Sequence, residues 1–496
     1  MNDARPAPDG AAVPVRTTRL AVPPVEPLAA YLALAGRFGR EQVYLLESAA
    51  GPARDVRYHF AGFGTLLTVS VTRGEVRVDG VPALREAVRR RIGPLLDTAA
   101  DGRTRLRAAR DLWPVLRAVG GAFDAEGSAS RFRFGFIGYF GYDAARYVED
   151  LPYLIDQDPE LPDVHLALSR GCLMTDLATG RAELSLHESP AWPALDRDEI
   201  AALLAAAGGT PPEGAPRDAP PVAAVTGDTE RGRYLAAVDR CLEHIAAGDI
   251  YQVQIGHELD IRSPADPVQV YLRLRERNAS PYMYLATVGG HTVIGGSPEL
   301  FVRVEDGTVT MRPIAGTVPR GAADDEIAAR QLRADPKELA EHTMLVDLCR
   351  NDIGRICKRD TLDVPDSLVV ERYSHVLHLV STVVGEAEDG TDGFDVIPAL
   401  FPAGTMTGAP KIRAMEIIEA TERSRRGLYS GALGLIDVGG YLNLALCIRT
   451  LIHRDGSYRT RASAGVVADS VPGREWNETL AKLSAPYWAV TGEELL

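Results

Sequence analysis

Five prolines, Pro211, Pro212, Pro216, Pro220 and Pro221, crowd the span from Gly208 to Asp228. Each fixes its own φ and lacks a backbone N–H, so neither a helix interior nor a central strand passes through this span. Residues 208–228 read as a connector between an N-terminal region, 26–207, and a C-terminal region, 229–492. Residues 1–25, rich in Ala, Pro and Val without periodicity, are expected to form a loose arm.

Beyond the connector, Tyr234, Val238, Leu242 and Ile245 recur at helical spacing and stop at Gly248. Tyr251 to Ile261, Thr292 to Ile294 and Leu300 to Val304 read as strands. Asp306-Gly307 predicts a tight hairpin, because both central positions of a type I′ turn need φ > 0. Thr308 to Arg312 returns from it into a Pro-Ile-Ala-Gly-Thr loop, and one long helix is expected to carry Asp335, Glu338, Glu341, Leu345 and Leu348. Strands and helices intermix without strict alternation. The predicted class is α/β in the broad sense (α+β), with large antiparallel sheets and helices packed outside.

Composition narrows the function. The chain is 46% hydrophobic and 25% charged, which excludes collagen-like, coiled-coil and wholly disordered readings. Lys and Arg number 54 against 68 Asp and Glu, a net charge of −14, the wrong sign for a nucleic-acid or anionic-membrane binder. Five scattered cysteines without a C-x-x-C pair argue against a disulfide framework and a zinc knuckle. No signal-like start and no long apolar run are visible, so a cytoplasmic location is expected.

Two carboxylate pairs stand out. Glu338 and Glu341, and Glu475 and Glu478, are each spaced by three, so both acids of a pair share one helix face. Two such faces opposed would offer oxygen ligands to a hard divalent cation. Solvated surface acids give the same pattern, and spacing alone does not choose between them.

The surrounding text does. The matching segments are Gly248-Asp-Ile-Tyr-Gln-Val, Gly296-Ser-Pro-Glu-Leu, Arg312-Pro-Ile-Ala-Gly-Thr, Glu341-His-Thr-Met-Leu-Val-Asp-Leu-Cys-Arg-Asn-Asp, Tyr373-Ser-His-Val-Leu-His, Phe401-Pro-Ala-Gly-Thr-Met-Thr-Gly-Ala-Pro-Lys and Gly465-Val-Val-Ala-Asp-Ser. With them the C-terminal region resembles the chorismate-utilising enzymes, specifically the anthranilate synthase component I branch. Leu45-Leu-Glu-Ser and Gly138-Tyr-Phe-Gly-Tyr-Asp extend the resemblance more faintly into the N-terminal region. It implies the chorismate-utilising fold, a sandwich of large antiparallel sheets, and chorismate as substrate.

The resemblance assigns roles. Glu338, Glu341, Glu475 and Glu478 become Mg²⁺ ligands, the ion acting as a Lewis acid on the ring carboxylate. Glu299 becomes the general acid for the leaving hydroxyl, a role that requires a raised pKa. His378 helps release pyruvate, while His375 is expected to be structural. Arg449 grips the second carboxylate, with Thr405, Tyr429, Lys482, Ala315, Gly316, Thr317 and the backbone of Ala464 and Gly465 as further substrate contacts. Gln252 stands where water-adding relatives carry a basic lysine, and Ala315 where para-aminating relatives carry a nucleophilic lysine. Ammonia needs no activating base, so both positions favour amine attack next to the carboxylate-bearing carbon; the resemblance implies pyruvate loss to anthranilate as the next step. The alternative is an enzyme that stops at 2-amino-2-deoxyisochorismate and keeps the enolpyruvyl group. A non-catalytic chorismate sensor is disfavoured by the complete acid and ligand set.

Two departures support the alternative. The family usually reads Ala-Gly-Ala-Gly where this chain has Ala462-Ser-Ala-Gly465, and apolar residues then Ser-Arg where it has Gln254-Ile-Gly-His257. No cysteine sits on a nucleophile turn beside a histidine, so ammonia is expected from a separate glutamine amidotransferase subunit. Ser48, Asn278, Pro281, Tyr282 and Met283 resemble part of the family's tryptophan pocket, making tryptophan a candidate inhibitor. Arg89-Arg90-Arg91 and the cluster Arg423, Arg425, Arg426 read as solvated helix faces. Gly404 to Gly408 lacks phosphate-loop spacing.

Overall fold

The computed structural model describes residues 12–157, 159–208, 218–320, 324–373 and 376–496. Its frame is a pair of long antiparallel strands, Tyr58–Thr72 and Val164–Asp176, which pair along their whole length. The register slips between Thr65 and Leu67, beside Gly64 at φ +69°. A bulge there bends the ribbon, so its two ends enter different sheets.

From the Phe60–Phe63 end, one sheet runs outward through Val43–Glu47, Tyr282–Val288, His291–Ser297, Thr450–Arg454, Ser457–Val466, Gln252–Arg262 and Ala224–Gly227. On the ribbon's other side the same sheet continues through Arg181–Glu188 to Val13–Val22. From the Val164–Leu168 end, the second sheet runs through Gly135–Phe140, Ala432–Asp437, Leu442–Leu446, Leu300–Glu305, Thr308–Met311, Val376–Glu386 and Asp363–Arg372. Strands from both sides of the proline-rich connector are thus interleaved in both sheets.

The sheets face each other over a core that includes Tyr44, Phe60 and Tyr284 from one and Ile137, Tyr139, Leu433 and Tyr441 from the other. Helices cover the outer faces. Pro27–Phe38, Pro267–Arg277 and Pro472–Thr491 bury apolar residues on the first sheet. Pro82–Ile92, Leu112–Gly120 and Gly393–Leu400 do so on the second, while Lys411–Thr421 packs against Gln252–Arg262 of the first. This is the expected antiparallel sandwich with helices outside. Among the described residues no helix is long and apolar enough to cross a membrane.

Four local expectations are corrected. Val13–Val22 is not part of a loose arm: it pairs with Arg181–Glu188 at a sheet edge, where Pro14 is tolerated. Ile314–Pro319 is a strand rather than a loop, paired with Val376–Val380 and irregular at Gly316, φ +61°. The long acidic helix is two helices, Asp325–Ala334 and Pro336–Ile353. Asp335 is extended between them because a residue before proline avoids the helical region, and its carboxylate accepts from the Glu338 N–H at 3.3 Å. Arg425 and Arg426 are buried, 7% and 3% exposed, so that cluster is no solvated face, although Arg423 and Arg89 to Arg91 are exposed. The Asp306-Gly307 hairpin is as predicted, with φ +49° and +76°, and the helix through Tyr234 spans Arg231–Ala246.

Candidate functional site

The site is built where Gln252–Arg262 meets Ser457–Val466. Antiparallel register sets Gln254 opposite Gly465 and Gly256 opposite Ser463, so Gln252, Gln254, Ser463 and Gly465 share one face, and the Ala464 side chain turns to the other. A Cβ at Gly465 would lie 2.8 Å from both Gln252 Nε2 and Gln254 Nε2, so only glycine lets the strand approach these amides. Gln252 is 1% exposed. Its Nε2 donates to Glu341 Oε1 at 3.3 Å, and its Oε1 is buried with no hydrogen-bond partner among the described residues.

Glu299 is 7% exposed. Burial pushes its carboxyl up to about 8, a shift that the hydrogen bond from Thr405 Oγ1 at 3.1 Å and the Lys482 charge only partly oppose. Protonated at neutral pH, it can donate. His378 responds to burial in the opposite sense, lowered to about 4, with the Gly316 carbonyl opposing and the Arg449 and Lys482 charges adding to the shift. Its Nδ1 donates to Gly316 O at 3.1 Å, which places the basic lone pair on Nε2. Its ring meets Tyr373 edge-on at 5.0 Å.

Gly316 packs tightly as well: a Cβ there would lie 3.0 Å from Glu338 Oε2. Ala315 is buried and offers no nucleophile, and Thr317 pairs by its backbone with His378. Arg449 stands at φ +51°. Burial disfavours its charge, with Tyr429 and Glu478 near enough to favour it. Lys482 donates to the Ser463 carbonyl at 2.9 Å and pairs with Glu478 at 2.6 Å. Tyr429 Oη lies 2.6 Å from Ser463 Oγ. Lys482 thus ties Glu478 to the Ser463 strand, and its charge reaches Glu299 and His378.

The four glutamates come from two helices. Glu338 and Glu341 are half-buried, Glu475 is buried and Glu478 exposed. Their oxygens suit a hard cation in donor chemistry. Among the described residues, however, no three ligating side chains converge tightly enough to hold a metal ion. His375 lies outside the described residues.

Sequence reasoning missed the support behind the site. Arg426 Nη2 donates to Gln254 O at 2.8 Å, and its Nη1 to Met406 O at 2.8 Å and Ser430 Oγ at 3.2 Å. It therefore pins the neighbours of Thr405 and Tyr429 to the Gln254 strand. Its charge is balanced by Glu422, which also pairs with Arg461 and accepts from the Gly256 N–H. Only the Glu422/Arg426 spacing hinted at this.

Elsewhere, Ser48, Pro281, Tyr282 and Met283 line one cavity between the sheets, together with Asp55 and Arg57. Asn278 does not line it; its Nδ2 donates to Gly296 O at 2.8 Å.

The chain is 68% identical to 2-amino-4-deoxychorismate synthase of Streptomyces globisporus over 98% of each protein. It is 38% identical to anthranilate synthase component 1 of Acinetobacter calcoaceticus over 90% of each. The crystal structure of anthranilate synthase component I from Streptococcus pneumoniae TIGR4 superposes with a TM-score of 0.70 at 27% identity, covering 87% of this chain and 92% of that one. With residues 85–487 matching the sequence pattern of the chorismate binding enzymes, the chain belongs to that family.

Proposed function

We propose that the protein aminates chorismate at the ring carbon next to the carboxylate-bearing carbon and retains the enolpyruvyl group. The observation that carries this reading is the 68% identity, over nearly the whole chain, to a protein named for a chorismate that bears an amine and lacks a hydroxyl. The sequence reading placed pyruvate loss first; this likeness favours its alternative.

The residues supply a matching mechanism. Gln252 is neutral, and its orphan buried carbonyl oxygen suits an N–H of ammonia. As the C–N bond forms, the two ring double bonds shift and the distant C–O bond breaks. Glu299, raised to about 8, gives its proton so that water departs. The new ammonium then loses a proton to give the neutral amine. Arg449 grips the enolpyruvyl carboxylate. Glu338, Glu341, Glu475 and Glu478 are the oxygen donors that would hold a Mg²⁺ ion, in part through water, and the chemistry such an ion would supply is Lewis-acid withdrawal of electron density at the substrate's ring carboxylate.

Ammonia is proposed to come from a glutamine amidotransferase subunit. All five cysteines are buried, and burial pushes every thiol up, Cys172 and Cys241 to about 12 and Cys357 to about 11. None has the lowered pKa of a nucleophilic thiol. The cavity at Ser48 and Tyr282 is proposed to take tryptophan as an inhibitor; turnover unchanged by saturating tryptophan would reject that assignment.

A second reading, elimination of pyruvate to anthranilate, is favoured by His378, a neutral imidazole with a basic Nε2. A coupled pyruvate assay run alongside chorismate depletion, with ammonium and Mg²⁺, separates the two. The proposal expects chorismate to disappear without matching pyruvate; one pyruvate for each chorismate would overturn it in favour of anthranilate.

A further inference from the structure

Gln254 and Ser463, one from each of the two segments where the chain leaves its family's pattern, are 209 residues apart in sequence and touch in the fold. Ser463 Oγ donates to Gln254 Oε1 at 3.2 Å and lies 2.6 Å from Tyr429 Oη. Each hydroxyl owns one proton, and an amide carbonyl only accepts. The proton order follows: Ser463 gives its proton to Gln254, and Tyr429 gives its own to Ser463. Tyr429 then turns only lone pairs toward anything else it meets. The three residues are 8%, 1% and 7% exposed, so water offers little competition for these bonds. With glycine at 463, the phenol proton would be free to meet a substrate carboxylate.

We infer that Ser463, wired between Tyr429 and Gln254, is a positioning residue that makes the enzyme keep the enolpyruvyl group. The inference rests on the amination reading above. Losing pyruvate breaks a ring C–O bond and the C–H bond beside it. A base takes the proton, the C–H electron pair becomes a ring double bond, and the departing enolpyruvate takes up a proton to become pyruvate. This requires the side arm to be held with the C–O bond aligned for departure. A phenol that presents only lone pairs repels the arm's carboxylate instead of gripping it, which leaves Arg449 as its anchor and draws the arm away from that alignment.

The test compares the parent with Ser463→Gly, Ser463→Ala and Ser463→Thr, each supplied with chorismate, Mg²⁺ and ammonium. The readout is the ratio of pyruvate to total aminated product. Removing the hydroxyl, as glycine or alanine, is expected to raise the ratio about tenfold or more, while threonine, which keeps a hydroxyl, holds the parental value. A purely structural role for Ser463 would lower turnover and leave the ratio unmoved. An unmoved ratio in both the glycine and alanine proteins, from a parent that retains the group, overturns this inference alone. A parent that itself releases one pyruvate per chorismate overturns the retention reading and the inference together.

Discussion

At the scale of single residues, the chemistry depends on two buried groups driven apart in pKa by the same physical cause. Removal from water disfavours whichever form is charged, so Glu299 rises from 4.5 to about 8 and stays protonated, while His378 falls from 6.5 to about 4 and stays neutral. One is thereby ready to give a proton and the other to take one. Because the active form of Glu299 is its acid, amination should be full at neutral pH and fall as pH rises through about 8. The same raised pKa means that the fold also loses stability progressively as pH rises from 4.5 to about 8, with no further loss from this group above that value. A pH profile of kcat/KM for chorismate checks the first statement; a flat profile across this range contradicts it. Glu299→Gln keeps the shape and loses the proton, and turnover should drop by about 10²- to 10⁴-fold. Activity close to the parent's would reject Glu299 as the acid.

At the scale of elements, the site depends on two strands brought together with almost no clearance and on one arginine behind them. Gly465→Ala would push a methyl group against the ends of Gln252 and Gln254, 2.8 Å from each amide nitrogen. Both are tips of flexible side chains, so they can swing aside: stability should change little, and amination should fall sharply. A variant with parental turnover would show that the position of these amides is unimportant. Arg426→Met leaves Glu422 partly uncompensated in a buried setting and frees two backbone carbonyls, of Met406 and Gln254, and the Ser430 hydroxyl. Breaking such a pair costs about 3–5 kcal/mol, to be read from the denaturant midpoint. A shift well under 1 kcal/mol would mean that Arg461 carries the network by itself.

The same elements show what sequence carries and what it does not. The Asp306-Gly307 hairpin and the helix through Tyr234 depend on neighbours within a few residues, and both are visible in the string. The break at Asp335 is equally local, since Pro336 follows it, yet the acidic periodicity running through it suggested continuity. The Val13–Val22 strand is held by partners near residue 185, which no local pattern reveals. Arg425 and Arg426 looked solvated because charge usually means surface; only the fold supplies the buried Asp143 and Glu422 that balance them. Among the site residues, motif order pointed to Glu299 and Gln252, both of which the fold buries, whereas the expected convergence of the glutamate pairs is not seen among the described residues. The bond between Gln254 and Ser463 was not legible, because it depends on a strand register set by the whole sheet.

At the scale of the molecule, both sheets are woven from strands on either side of the connector, so Glu299, His378 and Arg449 are set by one continuous frame. That frame contains no low-pKa thiol, from which it follows that the isolated chain should use ammonium and not glutamine as its nitrogen source. Glutamine-dependent turnover by the purified chain, with no added subunit, would contradict this. The account's central claim is amine attack on chorismate with the side arm kept. Its most direct test is to supply isotopically labelled ammonium and solve the product's structure by NMR. A labelled amine on the ring carbon beside the carboxylate-bearing carbon, with the enolpyruvyl ether intact, is the predicted result; an unlabelled product, or one aminated at any other ring carbon, would contradict it.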